Sequence, residues 1–400
     1  MNPSFILIGI DDNQKPSFSD EALECINNGC CFSGGARHHG IVCDILPSGY
    51  VWLDITVPLC NVFSRYEEWF SARSAPIVVF ASGDPLFFGF ANTIMREMPD
   101  ADLRIIPCFN SLQMLAHRIP MRYDDMRVVS LTGRPWKEFD RALIERTPKI
   151  GILTDHKHTP SSIAARMLEY GYDNYVMYVG ERLGNDMEEH VGCFSLEEAT
   201  RREFISPNSL ILRSDTHFPR RFGIPDEEFE HLDGRSRMIT KMAIRLLTLQ
   251  ALELPKRSVM WDVGFCTGSI SIEAKLCFPA LDIVSFEIRP ECERLMDINS
   301  HRFGAPGIET LMGDFLDADL SSLEAPDAVF IGGHGGRLIE IIGKLVDVMR
   351  PGGTIVFNSV SDESRAMFED AAKEFSLKLH EDRRIALDDY NPITIMRCDL

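Results

Sequence analysis

Two stretches of the sequence have residues that could form a ligand site, and the one in the second half of the chain is suited to binding a nucleoside. It runs Asp262-Val263-Gly264-Phe265-Cys266-Thr267-Gly268. Glycines there would let the backbone approach a ligand, and the free N–H groups of a following helix would face it. About twenty residues later, Glu287 is placed to grip the hydroxyls of a ribose, and Asp314 and Phe315 follow a third apolar run. This order predicts a site for an adenosyl-containing cofactor.

The glycine spacing of this loop separates two kinds of adenosyl cofactor. A dinucleotide requires Gly-x-Gly-x-x-Gly to seat its pyrophosphate, and the loop from Gly264 to Gly268 does not have that spacing. It fits better the pattern Asp-x-Gly-x-x-x-Gly, which resembles the S-adenosylmethionine loop of class I methyltransferases. Cys266 stands where this loop usually has its second glycine, so a bulkier side chain must be accommodated near the methionine part of the ligand. The alternative is a tight structural turn without a ligand.

The other candidate stretch lies in the first half, where the apolar run 76–81 leads into Ser82-Gly83-Asp84-Pro85. Glycine and proline in such a turn fix an unusual backbone path and expose carbonyl and amide groups to a cleft. The alternative is an ordinary strand–helix connection in which Asp84 is the N-cap. The spacing alone does not decide between these interpretations.

Alternating strands and helices position both stretches. Short β-branched runs alternate with helical stretches in the first half, which predicts an α/β layer fold. In the second half we predict a helix over 237–252, a strand over 258–263, a helix over 336–349 and closing strands over 377–384 and 393–397. This order is typical of a doubly wound sheet with an antiparallel edge. Proline, glycine and acidic residues between 214 and 234 indicate a linker, so we place two domains at 1–221 and 222–400.

Composition and charge exclude several classes of function. The 400 residues carry 41 basic and 60 acidic side chains, a net charge of −19, which disfavours binding to nucleic acid or to an anionic membrane. No apolar run is long enough for a transmembrane helix. The eleven cysteines are scattered without a Cys-x-x-Cys pair, so we expect no metal site and free thiols in a reducing cytoplasm.

Motifs along the whole chain resemble a known family. Those of the first half resemble the CbiE branch of the tetrapyrrole methylase superfamily, and they lie at 34–38, 82–89, 110–113, 132–135 and 154–160. Those of the second half resemble CbiT, and they lie at 224–229, 238–241, 262–268, 313–314 and 330–333. Together they resemble the fused CbiE–CbiT type, the CobL family of precorrin-6Y C5,15-methyltransferases (decarboxylating). The resemblance implies a tetrapyrrole methylase (class III) α/β domain followed by a Rossmann-like class I methyltransferase domain.

The resemblance also implies an activity in cobalamin biosynthesis. The first domain would methylate a precorrin or cobalt-precorrin at C5, and the second would methylate C15 with decarboxylation of the ring-C acetate. Each domain would bind one S-adenosylmethionine, and the protein would form a homo-oligomer. The sequence leaves open whether the substrate contains cobalt and which methylation comes first. The connection between Ile385 and Pro392 is shorter than is usual in CbiT proteins, which bears on lid closure and assembly.

Site residues follow from the resemblance position by position. The second-half cofactor would contact Thr240, Gly264, Phe265, Cys266, Thr267, Gly268, Glu287, Asp314 and Phe315. The first-half cofactor would contact Gly9, Gly83, Asp84, Ser111 and Thr154. Arg37, Arg134 and His334 are the candidates for binding the carboxylated substrate, and no residue is identified as a catalytic base. Asp11 and Asp12 replace the Gly- and Pro-rich sequence usual in the first loop, which either favours the cationic sulfonium or weakens that site.

Two other functions remain alternatives. A related branch of the superfamily methylates ribosomal RNA, although the net charge of −19 argues against it. A degenerate methylase would bind S-adenosylmethionine as a sensor or scaffold without turnover.

Overall fold

The computed structural model describes residues 2–216, 218–235, 237–387 and 392–400. They form two compact units, each assembled from several segments. The first unit consists of Met1–Arg134, Pro148–Ala165 and Asn174–Asp215, and the second consists of Pro135–Thr147, Arg166–Asp173 and Thr216–Leu400. The domain boundary between residues 221 and 222 stays a prediction. Four of the six residues in the short C-terminal connection, 388–391, lie outside the described residues.

Ten strands and eight helices precede residue 214 in the described part of the chain. The strands are β1 Ser4–Ile10, β2 Cys31–Gly34, β3 Val51–Asp54, β4 Ile77–Ser82, β5 Asp102–Ile106, β6 Arg127–Ser130, β7 Lys149–Leu153, β8 Val176–Glu181, β9 His190–Phe194 and β10 Asn208–Arg213. The helices are α1 Asp20–Asn27, α2 Ala36–Val42, α3 Leu59–Ala72, α4 Phe90–Glu97, α5 Ser111–Arg118, α6 Lys137–Ile144, α7 Pro160–Glu169 and α8 Leu196–Thr200.

The strands of the first unit form two sheets. The first is parallel, in the order β3-β2-β4-β1-β5, and the second is mixed, in the order β6-β7-β10-β8-β9. Residues 77–81 of β4 are buried, as expected for a central parallel strand covered on both faces. Because β1 and β4 are parallel neighbours, the loops after Ile10 and Ser82 meet at one sheet edge.

The second unit contains one larger sheet. Its strands are β11 Val259–Val263, β12 Asp282–Glu287, β13 Ile308–Met312, β14 Ala328–Ile331, β15 Thr354–Ser359, β16 Lys378–Leu379, β17 Arg383–Ile385 and β18 Ile393–Asp399. Its later helices are α9 Met242–Ala251, α10 Ser269–Cys277, α11 Glu291–Phe303, α12 Leu338–Val348 and α13 Asp362–Glu374. The order is β13-β12-β11-β14-β15-β18-β16, with β17 also paired to β18. β18 runs antiparallel to β15, so the doubly wound sheet with an antiparallel edge is confirmed.

Two predicted elements of the second half were wrong in extent. The helix expected over 237–252 begins at Met242, because Lys241 before it has a non-helical backbone with φ −57° and ψ 142°. Arg245 donates to the carbonyls of Thr240 and Ile224. The carbonyl of Thr240 is therefore bonded to a side chain, and the residues just before Met242 stay outside the helix. The strand expected over 377–384 is instead two short strands, β16 and β17. Among the described residues, no helix has the length and apolar character needed to cross a bilayer.

Candidate cofactor and substrate site

A cavity of about 560 Å³ opens at the carboxyl ends of β11, β12, β13 and β14. This is the edge of a doubly wound sheet at which ligands bind, and the volume suits a small-molecule ligand. Nine residues predicted from the sequence line it, namely Thr240, Gly264, Phe265, Cys266, Thr267, Glu287, Asp314, Phe315 and His334. The tenth, Gly268, is the N-cap of α10 at the end of the same loop. The fold therefore brings the second-half residues to one place.

Close approach of two loops explains the glycine at 264. Gly264 has φ +85°, and a Cβ there would lie 2.6 Å from the backbone nitrogen of Gly333. Its N–H donates to the carbonyl of Phe286 at 2.8 Å, which fixes the loop against β12. Cys266 also has a left-handed φ of +52°, a conformation that costs a non-glycine residue about 1–2 kcal/mol. Its Sγ lies 3.3 Å from the carbonyl of Met238, so the predicted accommodation of a larger side chain is achieved by this contact.

The cavity contains features that fit a polar ligand. Thr267 is 1% exposed, and its Oγ1 has no hydrogen-bond partner among the described residues. A Cβ built on Gly313, Gly333 or Gly335 would meet open space within 4 Å. Buried hydroxyl groups normally have a hydrogen-bond partner, and a polar ligand in this cavity could supply one to Thr267. The three glycines leave space for such a ligand. These residues fit an adenosyl-bearing cofactor.

Glu287 is buried and surrounded by hydrogen-bond donors. Its Oε2 accepts from the backbone N–H of Cys266 at 2.9 Å, and its Oε1 accepts from the N–H groups of Ile288 and Arg289 at 3.0 and 3.1 Å. Arg289 adds Nε to Oε1 at 3.0 Å and Nη2 to Oε2 at 2.9 Å. Burial alone would raise the pKa of Glu287, but these donors more than offset it and lower the pKa. The carboxylate is therefore ionised and fixed in position.

The loop after β13 is also held by an arginine. Asp314 pairs with Arg337 and accepts the N–H of Leu316 at 3.0 Å, and its pKa is lowered by these contacts. Phe315 is only 5% exposed, and its ring packs edge-on against Phe286 with centroids 5.0 Å apart. Phe315 thus belongs to the core as well as to the cavity wall.

His334 lies in the loop after β14. Its Nδ1 accepts the N–H of Gly336 at 3.1 Å, and its ring packs edge-on against Phe357. Partial burial lowers the pKa of His334 below its ordinary value. The neutral imidazole orders a loop that contains left-handed glycines at 335 and 336.

The first unit brings some of its predicted residues together through backbone packing. A Cβ on Gly9 would lie 2.0 Å from the carbonyl oxygen of Gly83, and a Cβ on Gly83 would lie 2.9 Å from Cα of Asn110. Asn110 is the N-cap of α5, whose first residue is Ser111. The loop contacts alone account for both glycines.

The remaining predicted residues of that site have internal partners. Asp84 accepts the N–H of Leu86 at 2.9 Å, and the N-cap of α4 is Gly89 rather than Asp84. Thr154 follows β7 in the second sheet, and its hydroxyl bonds to the carbonyl of Asn208 at 2.6 Å.

The predicted substrate arginines are also engaged. Nη1 of Arg37 lies 2.7 Å from Oδ1 of Asp12, and its Nη2 donates to Ser82 at 2.7 Å. Arg134 donates to Ser130 at 2.6 Å and lies over the ring of Phe88 at 5.4 Å. Phe88 has a left-handed φ of +55°, so the backbone between β4 and α4 is strained at this residue.

Sequence reasoning missed several residues of the cavity. Arg289, Arg337, Met238 and Ile288 line it, and Ile288 is 58% exposed. The sequence contained one signal, because Arg289 stands only two residues after Glu287, just beyond the end of β12, and carries the opposite charge. In the described part of the chain, no group of three or more His, Cys, Asp or Glu side chains is arranged to hold a metal.

Comparison with known proteins covers both halves of the chain. Residues 67–200 match the family model of tetrapyrrole (corrin/porphyrin) methylases, and residues 227–398 match that of the precorrin methyltransferase domain. A precorrin-6Y C(5,15)-methyltransferase [decarboxylating] from Sinorhizobium sp is 30% identical over 375 residues, which cover 92% of this chain and 88% of that protein.

Shorter relatives each match part of the chain. A cobalt-precorrin-7 C(5)-methyltransferase from Salmonella typhimurium is 27% identical over 183 residues, or 46% of this chain and 86% of that protein. A cobalt-precorrin-6B C(15)-methyltransferase (decarboxylating) from the same organism is 40% identical over 139 residues, or 35% of this chain and 70% of that protein. The family model of tetrapyrrole methylases precedes that of the precorrin methyltransferase domain along the chain, and the relative from Sinorhizobium sp aligns across both. The chain belongs to the precorrin-6Y C5,15-methyltransferase (decarboxylating) family.

Proposed function

We propose that this enzyme methylates a precorrin at C5 and at C15 and removes the ring-C acetate carboxyl as CO2. The cavity at the carboxyl edge of the second unit's sheet carries the proposal, because it combines the loop 264–268 with the fixed carboxylate of Glu287. The full-length relative and the two half-length relatives support one methylation per domain. They favour this function over RNA methylation and over a sensor without turnover.

One S-adenosylmethionine per domain would supply the methyl groups. In the second unit, Glu287 would accept hydrogen bonds from the ribose and Thr267 would satisfy a polar group through its free Oγ1. Gly264 and Gly268 would allow close approach of the backbone. In the first unit, Gly9, Gly83, Asp84, Ser111 and Thr154 stay the proposed cofactor residues.

The second unit would contribute alignment and charge more than a strong base. Transfer of a methyl group from a sulfonium to an electron-rich ring carbon depends on an in-line arrangement. Loss of CO2 breaks a carbon–carbon bond, and a neighbouring imine of the macrocycle accepts the electron pair. Arg237, Arg289 and Arg337 line the cavity and match the carboxylates of such a substrate. Arg37, Arg134 and His334 stay the other proposed substrate residues.

Mass spectrometry of a late precorrin after incubation with S-adenosylmethionine tests the proposal. We expect the substrate to gain two methyl groups and to lose CO2. Parallel reactions with a cobalt-containing and a metal-free substrate would show which of the two the enzyme accepts. Glu287→Gln is expected to abolish the C15 methylation and CO2 loss while C5 methylation in the first domain persists. Binding of S-adenosylhomocysteine without any change in substrate mass would overturn the proposal in favour of the sensor.

We further propose a homo-oligomer in the cytoplasm as the setting of this activity. The eleven cysteines are all unpaired, which suits a reducing compartment. Light scattering of the purified chain tests the oligomer, and a mass equal to one 45.2 kDa chain would contradict it.

A further inference from the structure

The carboxylate of Glu287 has no acceptor position left for a ligand. A carboxylate offers about four lone-pair positions. Glu287 already accepts from three backbone N–H groups and from two nitrogens of Arg289, all between 2.9 and 3.1 Å. The backbone donors are fixed by the loops at Cys266 and Ile288, whereas the guanidinium is on a flexible side chain. By the same count, a ribose hydroxyl could donate to the remaining position on Oε2 only if the Arg289 guanidinium left it.

The guanidinium of Arg289 lies inside the same cavity. Both Glu287 and Arg289 line it, and the side chain of Arg289 is 28% exposed compared with 1% for Glu287. The Nη1 of Arg289, which does not contact Glu287, lies 3.0 Å from Sδ of Met238. A thioether is a weak acceptor, so this contact would hold the guanidinium only loosely. Release from Glu287 would therefore leave a cation at the cavity wall.

We propose that Arg289 is an exchangeable partner of Glu287, displaced by the cofactor ribose and then available to a carboxylate of the substrate. This proposal rests on the proposed function of the second unit. Guanidinium and carboxylate form the bidentate pair seen here, and a substrate carboxylate would offer Arg289 the same geometry. Cofactor and substrate would then bind cooperatively, because the first frees the residue that the second needs. Arg289 is thus a positioning residue that links the two ligands.

Titration calorimetry with S-adenosylhomocysteine tests the exchange. Arg289→Ala removes the competitor and leaves the three backbone donors to Glu287, so we expect binding at this site to become about fivefold to tenfold tighter. Because each domain is proposed to bind one cofactor, the isotherm contains two binding events, and the event that Glu287→Gln weakens belongs to the second unit. Arg365→Ala is the matched control, since Arg365 pairs with Glu369 and Asp382 outside the cavity. A damaged site would bind more weakly, so tighter binding separates exchange from a purely structural role.

The substrate side of the proposal has its own measurement. Arg289→Ala is expected to raise the KM for the precorrin about tenfold in C15 methylation with little change in kcat. Arg289→Lys keeps the charge but cannot hold two oxygens, and an intermediate KM is expected. Unchanged or weaker S-adenosylhomocysteine binding by Arg289→Ala, or an unchanged KM, would overturn the exchange. If Glu287→Gln binds S-adenosylhomocysteine with the same isotherm as the wild-type protein, the second unit has no cofactor site at Glu287, and the proposed function is overturned instead.

Discussion

Asp12 holds Arg37 in an ion pair of 2.7 Å at the edge of the first sheet. Asp12 is 2% exposed, and its other oxygen pairs with Arg182 at 2.8 Å. Burial alone would raise the pKa of Asp12, but the two arginines more than offset it and lower the pKa. The acidic residue that replaces the usual glycine-rich loop is therefore a structural anion between two cations.

Removal of this anion should destabilise the first unit. Asp12→Ala removes the buried anion that two arginines share, and although Arg182 keeps its pair with Glu188 and Arg37 its bond to Ser82, we expect a loss of about 2–3 kcal/mol in the free energy of unfolding. Asp11→Ala is the control, since within the described part of the chain Asp11 accepts one hydrogen bond, from the nearby N–H of Asn13 at 3.0 Å. Because the pKa of Asp12 is lowered in the folded state, its contribution is present above the ordinary value of 3.8 and is lost as the pH falls below it. Urea unfolding near neutral pH with equal losses in both variants would contradict this assignment.

Asp262 provides a pH dependence of the opposite sign. Burial raises its pKa to about 7, although Ser271 donates to its Oδ2 at 2.6 Å. The folded protein therefore holds a proton that the unfolded chain releases near pH 3.8, and stability falls as the pH rises from there to about 7. Asp262→Asn cannot ionise and should lack this fall. We expect the free energy of unfolding of Asp262→Asn, measured relative to the wild-type protein by urea unfolding, to be about 2 kcal/mol larger at pH 8.5 than at pH 5. The same dependence of stability on pH in both proteins would refute this.

The sequence predicted the sheet of the second unit well because of how its strands are buried. All five residues of β11 and all four of β14 are buried, so β14 reads as a continuous apolar run and β11 as a run interrupted only by Asp262. β17 has no such run and stands at the sheet margin, with two of its three residues exposed. Its bounds therefore depended on pairing with β18, which the local pattern does not encode.

The candidate site could be predicted only where its residues follow successive parallel strands of one sheet. The loops after β11, β12, β13 and β14 converge because parallel strands end at the same edge. The partner of Arg37 lies 25 residues away and that of Asp12 in the second sheet 170 residues away, so neither ion pair could be inferred from spacing. The distinction between a free and an engaged arginine required the tertiary structure.

The strained conformation of Cys266 predicts a difference between two small substitutions. Both Cys266→Gly and Cys266→Ala remove the Sγ contact with the carbonyl of Met238. Only glycine also removes the cost of φ +52°, so Cys266→Gly should be more stable than Cys266→Ala by about 1 kcal/mol. Calorimetric unfolding measures this difference. A more stable alanine variant would show that the loop adopts another conformation.

His334 can be tested as a loop-ordering residue against a role as a base. Its Nδ1 accepts the N–H of Gly336, and its lowered pKa leaves it neutral near pH 7.5. Asparagine can present an oxygen where Nδ1 lies but cannot act as a base, so His334→Asn should keep C15 methylation within about threefold while His334→Ala loses about tenfold. Single-turnover mass spectrometry at saturating S-adenosylmethionine measures both rates. If both variants instead lose about 100-fold or more, as removal of a general base would cause, loop ordering is not the role of His334.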